Sequence, residues 1–148
     1  MSSSIQIQNN QQNIKEMPHN VEAEQGILGA ILLNNEIFYD ISETVSVDHF
    51  YEPVHRLIFD VIGKLVSKGQ IATPITLKSH FEVEKNLEEI GGSNYLLRLA
   101  NSAVSLDYAK NYAQIIYDLA VRRGLFELGI KIQHDAIESD LDTKPDDL

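Results

Sequence analysis

The run Pro53-Val54-His55-Arg56-Leu57-Ile58-Phe59-Asp60-Val61-Ile62-Gly63-Lys64-Leu65-Val66-Ser67-Lys68-Gly69 decides the fold class. Val54, Leu57, Ile58, Val61, Ile62 and Leu65 recur at i, i+3, i+4, i+7, i+8 and i+11, which is one apolar stripe on a helix. Pro53 suits the first helical position, where its missing N–H is not needed. Lys64 and Lys68 fall in the last turn, where they complement the helix dipole. Gly69 can take the left-handed position just beyond it.

The same periodicity extends on both sides. Upstream, Asn20 reads as an N-cap, with Glu22 and Glu24 in the first turn where carboxylates favour the dipole. Ala23, Ile27, Leu28, Ile31 and Leu32 form the apolar side of that helix. Gly26 and Gly29 each cost helix propensity of order 1 kcal/mol against Ala, so a neighbouring helix is expected to approach them closely. Asn34-Asn35 ends the helix, and Glu36 to about Glu43 forms a shorter one with Ile37, Phe38 and Ile41.

Downstream, Thr73-Pro74 caps and opens a helix through Leu77 and Phe81. Leu87 and Ile90 lead to a break at Gly91-Gly92, and Ser93 is expected to cap a helix carrying Tyr95, Leu96 and Leu99. The last helix runs from Ser105 or Asp107 to about Ile137 without a proline. It has one stripe of Tyr112, Ile116, Leu119, Phe126, Ile130 and Ile137, and a second of Val121, Leu125, Leu128, Ile132 and Ala136. Two apolar faces on one helix imply two packing partners. Its first half is expected to complete a globular head, and Val121, Leu125, Leu128 and Ile132 are expected to form a self-association face.

The expected fold is therefore all-α: a compact head of five or six helices followed by a long helix. Residues 1–16 read as a polar, disordered tail of Ser, Gln and Asn, residues 17–104 as the head, residues 105–138 as the long helix, and residues 139–148 as an acidic tail or the start of a second arm. Val45 to Val47 has strand-like residues but is too short for a strand.

Composition excludes several kinds of chemistry. The chain of 148 residues has no Cys, which rules out disulfides, thiolate metal sites and a cysteine nucleophile, and which suits the cytosol. No run of 18 apolar residues is available to span a membrane. The net charge of −10, from 22 acidic and 12 basic residues, opposes direct binding to a nucleic-acid polyanion. The closest approach to a phosphate-binding loop, Gly124 to Lys131, has its Lys one place late and no Ser or Thr after it. Glu16-Met17-Pro18-His19 and Glu52-Pro53-Val54-His55 have the Glu-x-x-His form of a ferritin-like di-iron protein, which is the alternative reading. Both contain Pro at a helix edge, so the simpler expectation for His55 is a packed histidine in the first turn of its helix. Arg122-Arg123 reads as a surface pair with ion-pair partners such as Asp118 and Glu127.

Five blocks, taken together, resemble the N-terminal domain of bacterial replicative DNA helicases of the DnaB family. They are Pro18-His19-Asn20-Val21-Glu22-Ala23-Glu24-Gln25 with Leu28-Gly29; His49-Phe50-Tyr51 with His55-Arg56 and Ile58-Phe59; Ile75-Thr76-Leu77; Ile90-Gly91-Gly92 with Tyr95-Leu96; and Asn111-Tyr112-Ala113 with Ile115-Ile116, Ala120-Val121 and Arg123. No single block is specific, but five in register across Met17 to Ile137 are. Thr73-Pro74 departs from the family's usual Asp before the third block, and Asn101 to Ser105 lacks the Pro common in that loop. The resemblance implies that the long helix is the first arm of a helical hairpin, and that the chain stops where the second arm would begin. It implies a scaffold without a catalytic site: self-association as a dimer within a hexameric ring, docking of primase, and contact with a helicase loader, in the cytoplasm. ATP and magnesium would belong to the family's ATPase domain and not to this chain, for which no cofactor, metal, membrane or direct nucleic-acid contact is expected.

Overall fold

A computed structural model describes residues 16–138 and 144–147. The expected polar tail therefore lies outside the described residues up to position 15, as does most of the expected acidic tail, at 139–143 and 148. Among the described residues six α-helices follow one another: α1 (Val21–Leu33), α2 (Ile37–Ser42), α3 (Pro53–Ser67), α4 (Pro74–Val83), α5 (Gly92–Asn101) and α6 (Leu106–Glu138). Short 3-10 turns occupy Val47–His49, Glu88–Ile90 and Pro145–Asp147, and no strand occurs among the described residues.

The helix starts follow from the capping chemistry. The Asn20 side chain accepts the Ala23 N–H at 2.9 Å. Thr73 and Thr76 form a reciprocal box: the Thr73 hydroxyl accepts Thr76 N–H, and the Thr76 hydroxyl accepts Thr73 N–H at 2.8 Å. Gly69 ends α3 in the left-handed region at φ +72°. At α5 the expectation of a Ser93 cap is corrected. Gly91, left-handed at φ +93°, occupies the cap position, and Gly92 at +77° begins the helix, so the chain reverses on two glycines and Ser93 lies inside.

Two compact units make up the chain. The first is His19–Ala120, which holds α1 to α5 and the start of α6. Its centre is α1, which packs on α2, α3 and α5 and is buried from Ala23 to Leu32 on nearly every side. Gly29 is the point of closest approach. A Cβ there would overlap the Leu99 carbonyl oxygen and stand 2.9 Å from Ala103 N, so α5 can cross α1 only over a glycine. Gly26 similarly leaves room for Tyr112 and Val104, whose side-chain atoms lie 3.2 Å from where its Cβ would be.

The buried face of α3 is His55, Ile58, Phe59, Val61, Ile62 and Val66. This corrects the expected stripe: Leu57 points outward and Val54 and Leu65 are only half-buried, because the face is centred on His55 and Ile62. Phe59 packs between Phe38 of α2 and Phe50, with ring centroids 5.4 and 4.9 Å away. Ala109, Ala113 and Ile116 of α6 complete this core. The described residues before His19 and after Ala120 belong to the second unit.

Candidate interaction surface

Two parts of the molecule carry the polar and apolar groups from which a functional site can be built. The first is a buried polar cluster at the start of α1 and α3. Glu24 is almost wholly buried, which the expectation of a dipole-facing first-turn carboxylate missed. Its Oε2 accepts Tyr51 N–H at 2.8 Å, and its Oε1 accepts Glu52 N–H at 3.3 Å. His55 Nδ1 stands 2.7 Å from the same Oε1, and its Nε2 lies 2.6 Å from the Tyr95 hydroxyl. A carboxylate only accepts, so Nδ1 carries the proton in the bond to Glu24, and Nε2 shares a second hydrogen bond with the Tyr95 hydroxyl. Gln25 donates to the same hydroxyl at 3.3 Å.

Burial pushes the Tyr95 phenol above its ordinary value near 10, against the pull of the Gln25 hydrogen bond and the Arg98 charge. A phenol held neutral in this way is a poor nucleophile, and the cluster reads as a structural clasp joining α1, α3 and α5. His55 is thus the packed first-turn histidine expected of it, with both ring nitrogens engaged. His19 stacks on Tyr51 with centroids 3.9 Å apart. Among the described residues no three His, Asp or Glu side chains converge as a metal site would require, which leaves the ferritin-like alternative without a ligand set.

The second part is α6 beyond Ala120. Val121, Leu125, Leu128 and Ile132, at i, i+4, i+7 and i+11, are 42, 63, 51 and 60% exposed. Phe126, Ile130 and Ile137 of the other stripe are exposed as well. Scattered apolar residues on a surface are ordinary, whereas here both apolar stripes of one helical run stand in water. Arg122 is exposed, whereas Arg123 corrects the surface-pair expectation: it is buried and donates from Nη1 to the Pro18 carbonyl at 2.8 Å. Asp118, the suggested partner, instead accepts Gln114 Nε2–H at 2.9 Å. No described helix is long and apolar enough to cross a membrane.

The described residues thus form an all-α domain whose interior polar groups hold helices together and whose last helix bears exposed apolar stripes. Residues 16–118 match the family described as the DnaB-like helicase N terminal domain, and the chain belongs to that family. It is 43% identical over 126 residues to the replicative DNA helicase DnaB of Rickettsia felis, covering 85% of this chain and 26% of that protein. It is 33% identical over 111 residues to the corresponding protein of Treponema pallidum, covering 75% of this chain and 25% of that one. The chain thus spans about a quarter of the length of these curated relatives. The crystal structure of the N-terminal domain of DnaB helicase from Mycobacterium tuberculosis superposes with a TM-score of 0.81 at 28% identity, over 87% of this chain and 90% of that one. A DnaB-like replicative helicase whose structure was determined with its interactions with primase superposes with a TM-score of 0.65 at 26% identity, over 83% of this chain and 32% of that one.

Proposed function

We propose that this chain is the assembly and primase-docking domain of a replicative DNA helicase that unwinds duplex DNA at the fork with ATP. The observation that carries the assembly role is the run of exposed apolar side chains Val121, Leu125, Leu128 and Ile132 on α6. Such a seam is stabilised when a second helix removes it from water. In this reading two copies pair through α6, the pairs form a collar on a hexameric ring, and the collar receives primase and a helicase loader. The work is cytoplasmic. ATP, magnesium and DNA are handled by an ATPase domain outside this chain. Two observations support the primase role: family membership, and likeness to a helicase structure described together with its primase interactions. The net charge of −10 fits a domain that docks proteins and leaves DNA to other parts.

Sedimentation equilibrium of the chain, alone and mixed with the C-terminal domain of the matching primase, tests this. A concentration-dependent dimer and a complex with primase are the expected results. A strict monomer through the submillimolar range that forms no complex with primase would overturn the reading.

A further inference from the structure

Within the His19–Ala120 unit, Ile71, Ile75 and Leu97 are among the large apolar side chains that stand in water, at 68, 77 and 53% exposure, and they line two adjoining grooves. Ile75 is a ridge between two grooves. One, of about 210 Å³, is lined by Pro74, Ile75 and Lys78 of α4 and by Ser93 and Leu97 of α5. The other, of about 450 Å³, is lined by Leu65, Gln70, Ile71, Ile75, Thr76 and Ser79.

The surface is held rigidly. Asn35 clamps the loop before α4 from below, accepting Ala72 N–H at 2.8 Å and donating to Ala72 O at 2.7 Å. The Thr76 hydroxyl donates to the Ile71 carbonyl at 2.9 Å, and Thr73 and Thr76 close the capping box. Ile71 and Ile75 are therefore presented to water by fixed backbone, and little ordering cost remains for an occupant.

Charge selects the occupant. Among the described residues lining the two grooves, Lys78 is the only charged one, in a chain of net charge −10. Its contact with Glu82 is long, at 3.9 Å between two half-exposed side chains, and leaves the ammonium accessible to another carboxylate. A symmetric contact with a second copy centred on Ile75 would set ridge against ridge and Lys78 against Lys78, which repel. One cation is too few for a nucleic-acid backbone. A helix that straddles Ile75 with apolar side chains in both grooves, and turns a carboxylate toward Lys78, satisfies both features. We propose that this ridge and its two grooves dock an acidic amphipathic helix from another protein, a contact independent of α6 and of the assembly reading.

Methyl and amide NMR of the full chain, titrated with a probe peptide, tests it. The probe is an amphipathic helix of roughly 16 residues, about four turns, with a Leu face flanked by Glu; its twin carries Lys in place of each Glu. Shifts centred on Ile71, Ile75, Lys78 and Leu97, with the acidic probe binding at least about tenfold tighter than its twin, are expected. Ile75→Lys, at a side chain exposed enough to leave the fold intact, should weaken binding about tenfold, and Lys78→Glu should reverse the preference between the twins. The proposal is overturned by any of four results: no shifts at these residues up to millimolar probe; equal affinity for both twins; the same residues shifting on simple concentration of the chain, which would make the occupant a second copy; or the same residues shifting with duplex DNA.

Discussion

Glu24 and His55, 31 residues apart, meet at 2.7 Å between Oε1 and Nδ1 with both side chains removed from water. That bond joins the first turn of α1 to the first turn of α3, and the Tyr95 hydroxyl on the other ring nitrogen adds α5. Three helices are thereby fixed in rotation as well as position. Apolar packing alone specifies rotation less sharply, because neighbouring apolar faces can slip by a fraction of a turn. The helices so fixed include α1 and α5, whose crossing depends on Gly29.

Removing the carboxylate should therefore be costly. Glu24→Leu strands three donors: Tyr51 N–H, Glu52 N–H and His55 Nδ1–H. The expected loss is about 3–5 kcal/mol in urea unfolding, as for breaking one side of a buried polar pair. Glu24→Gln keeps one accepting oxygen and should lose less, about 1–3 kcal/mol. A loss below about 1 kcal/mol for Glu24→Leu would show that the clasp does not hold the helices.

Glycines at two sites should respond with opposite signs. Gly29→Ala drives a methyl into the Leu99 carbonyl and should destabilise the head by at least about 1–3 kcal/mol. Gly124→Ala, inside α6 with nothing near its Cβ position, should stabilise by about 0.5–1 kcal/mol through helix propensity. Thermal unfolding followed by circular dichroism separates the two. Loss of stability in both variants would contradict the geometry at Gly124, and gain in both would contradict it at Gly29.

Alkaline stability should depend on Tyr95. Burial raises its phenol above the ordinary value near 10, so the unfolded chain gives up this proton first. Stability from the neutral phenol is complete below pH 10 and is lost as pH rises from there through the higher folded value. Tyr95→Phe removes this dependence along with the hydrogen bond to His55. The variant should be less stable than the parent near neutrality by about 1 kcal/mol, with the gap narrowing above pH 10. Urea midpoints of the two proteins at pH 7 and pH 10.5 provide the check, and a gap that widens with pH would reverse the argument.

The helices and most of their ends were legible because each rests on local chemistry, the exception being α5, where Gly91 and not Ser93 holds the cap position. Asn20, Thr73-Pro74 and Gly69 act within four residues of themselves, and the structure places each where its residue type predicts. Close approach at Gly26 and Gly29 was legible too, since two glycines in one helix need a reason. The clasp was not. Glu24, His55 and Tyr95 are widely separated in sequence, and a Glu in a first turn has a sufficient local explanation in the helix dipole. Only tertiary packing turns that carboxylate inward. The rotation of α3 was hidden for the same reason: apolar counting favoured Leu57, whereas the inward histidine moves the buried face toward His55. Arg123 looked like half of a surface pair because nothing local signals a carbonyl at Pro18, 105 residues away.

The α6 seam yields the prediction with the most direct functional consequence. Leu125 and Leu128 are more than half exposed, and no Cβ contact crowds Gly124 or Gly129 beside them, so this stretch of helix has room for a partner helix at close range. Substituting both with Asp leaves the folded head untouched, because neither side chain belongs to the core cluster. In a paired seam, however, the same change places carboxylates where leucines would meet, at a cost of several kcal/mol. Leu125→Asp combined with Leu128→Asp should therefore shift the chain to monomer by at least about a hundredfold in dissociation constant, with its urea midpoint unchanged when both proteins are compared at concentrations where they are monomeric. Asp substitutions at Tyr39 and Val83, equally exposed but far from α6 in sequence, control for a general effect of added charge. An association constant unmoved by the double substitution would remove Val121, Leu125, Leu128 and Ile132 from the interface. An equal loss in the control variant would trace the effect to net charge rather than to the seam.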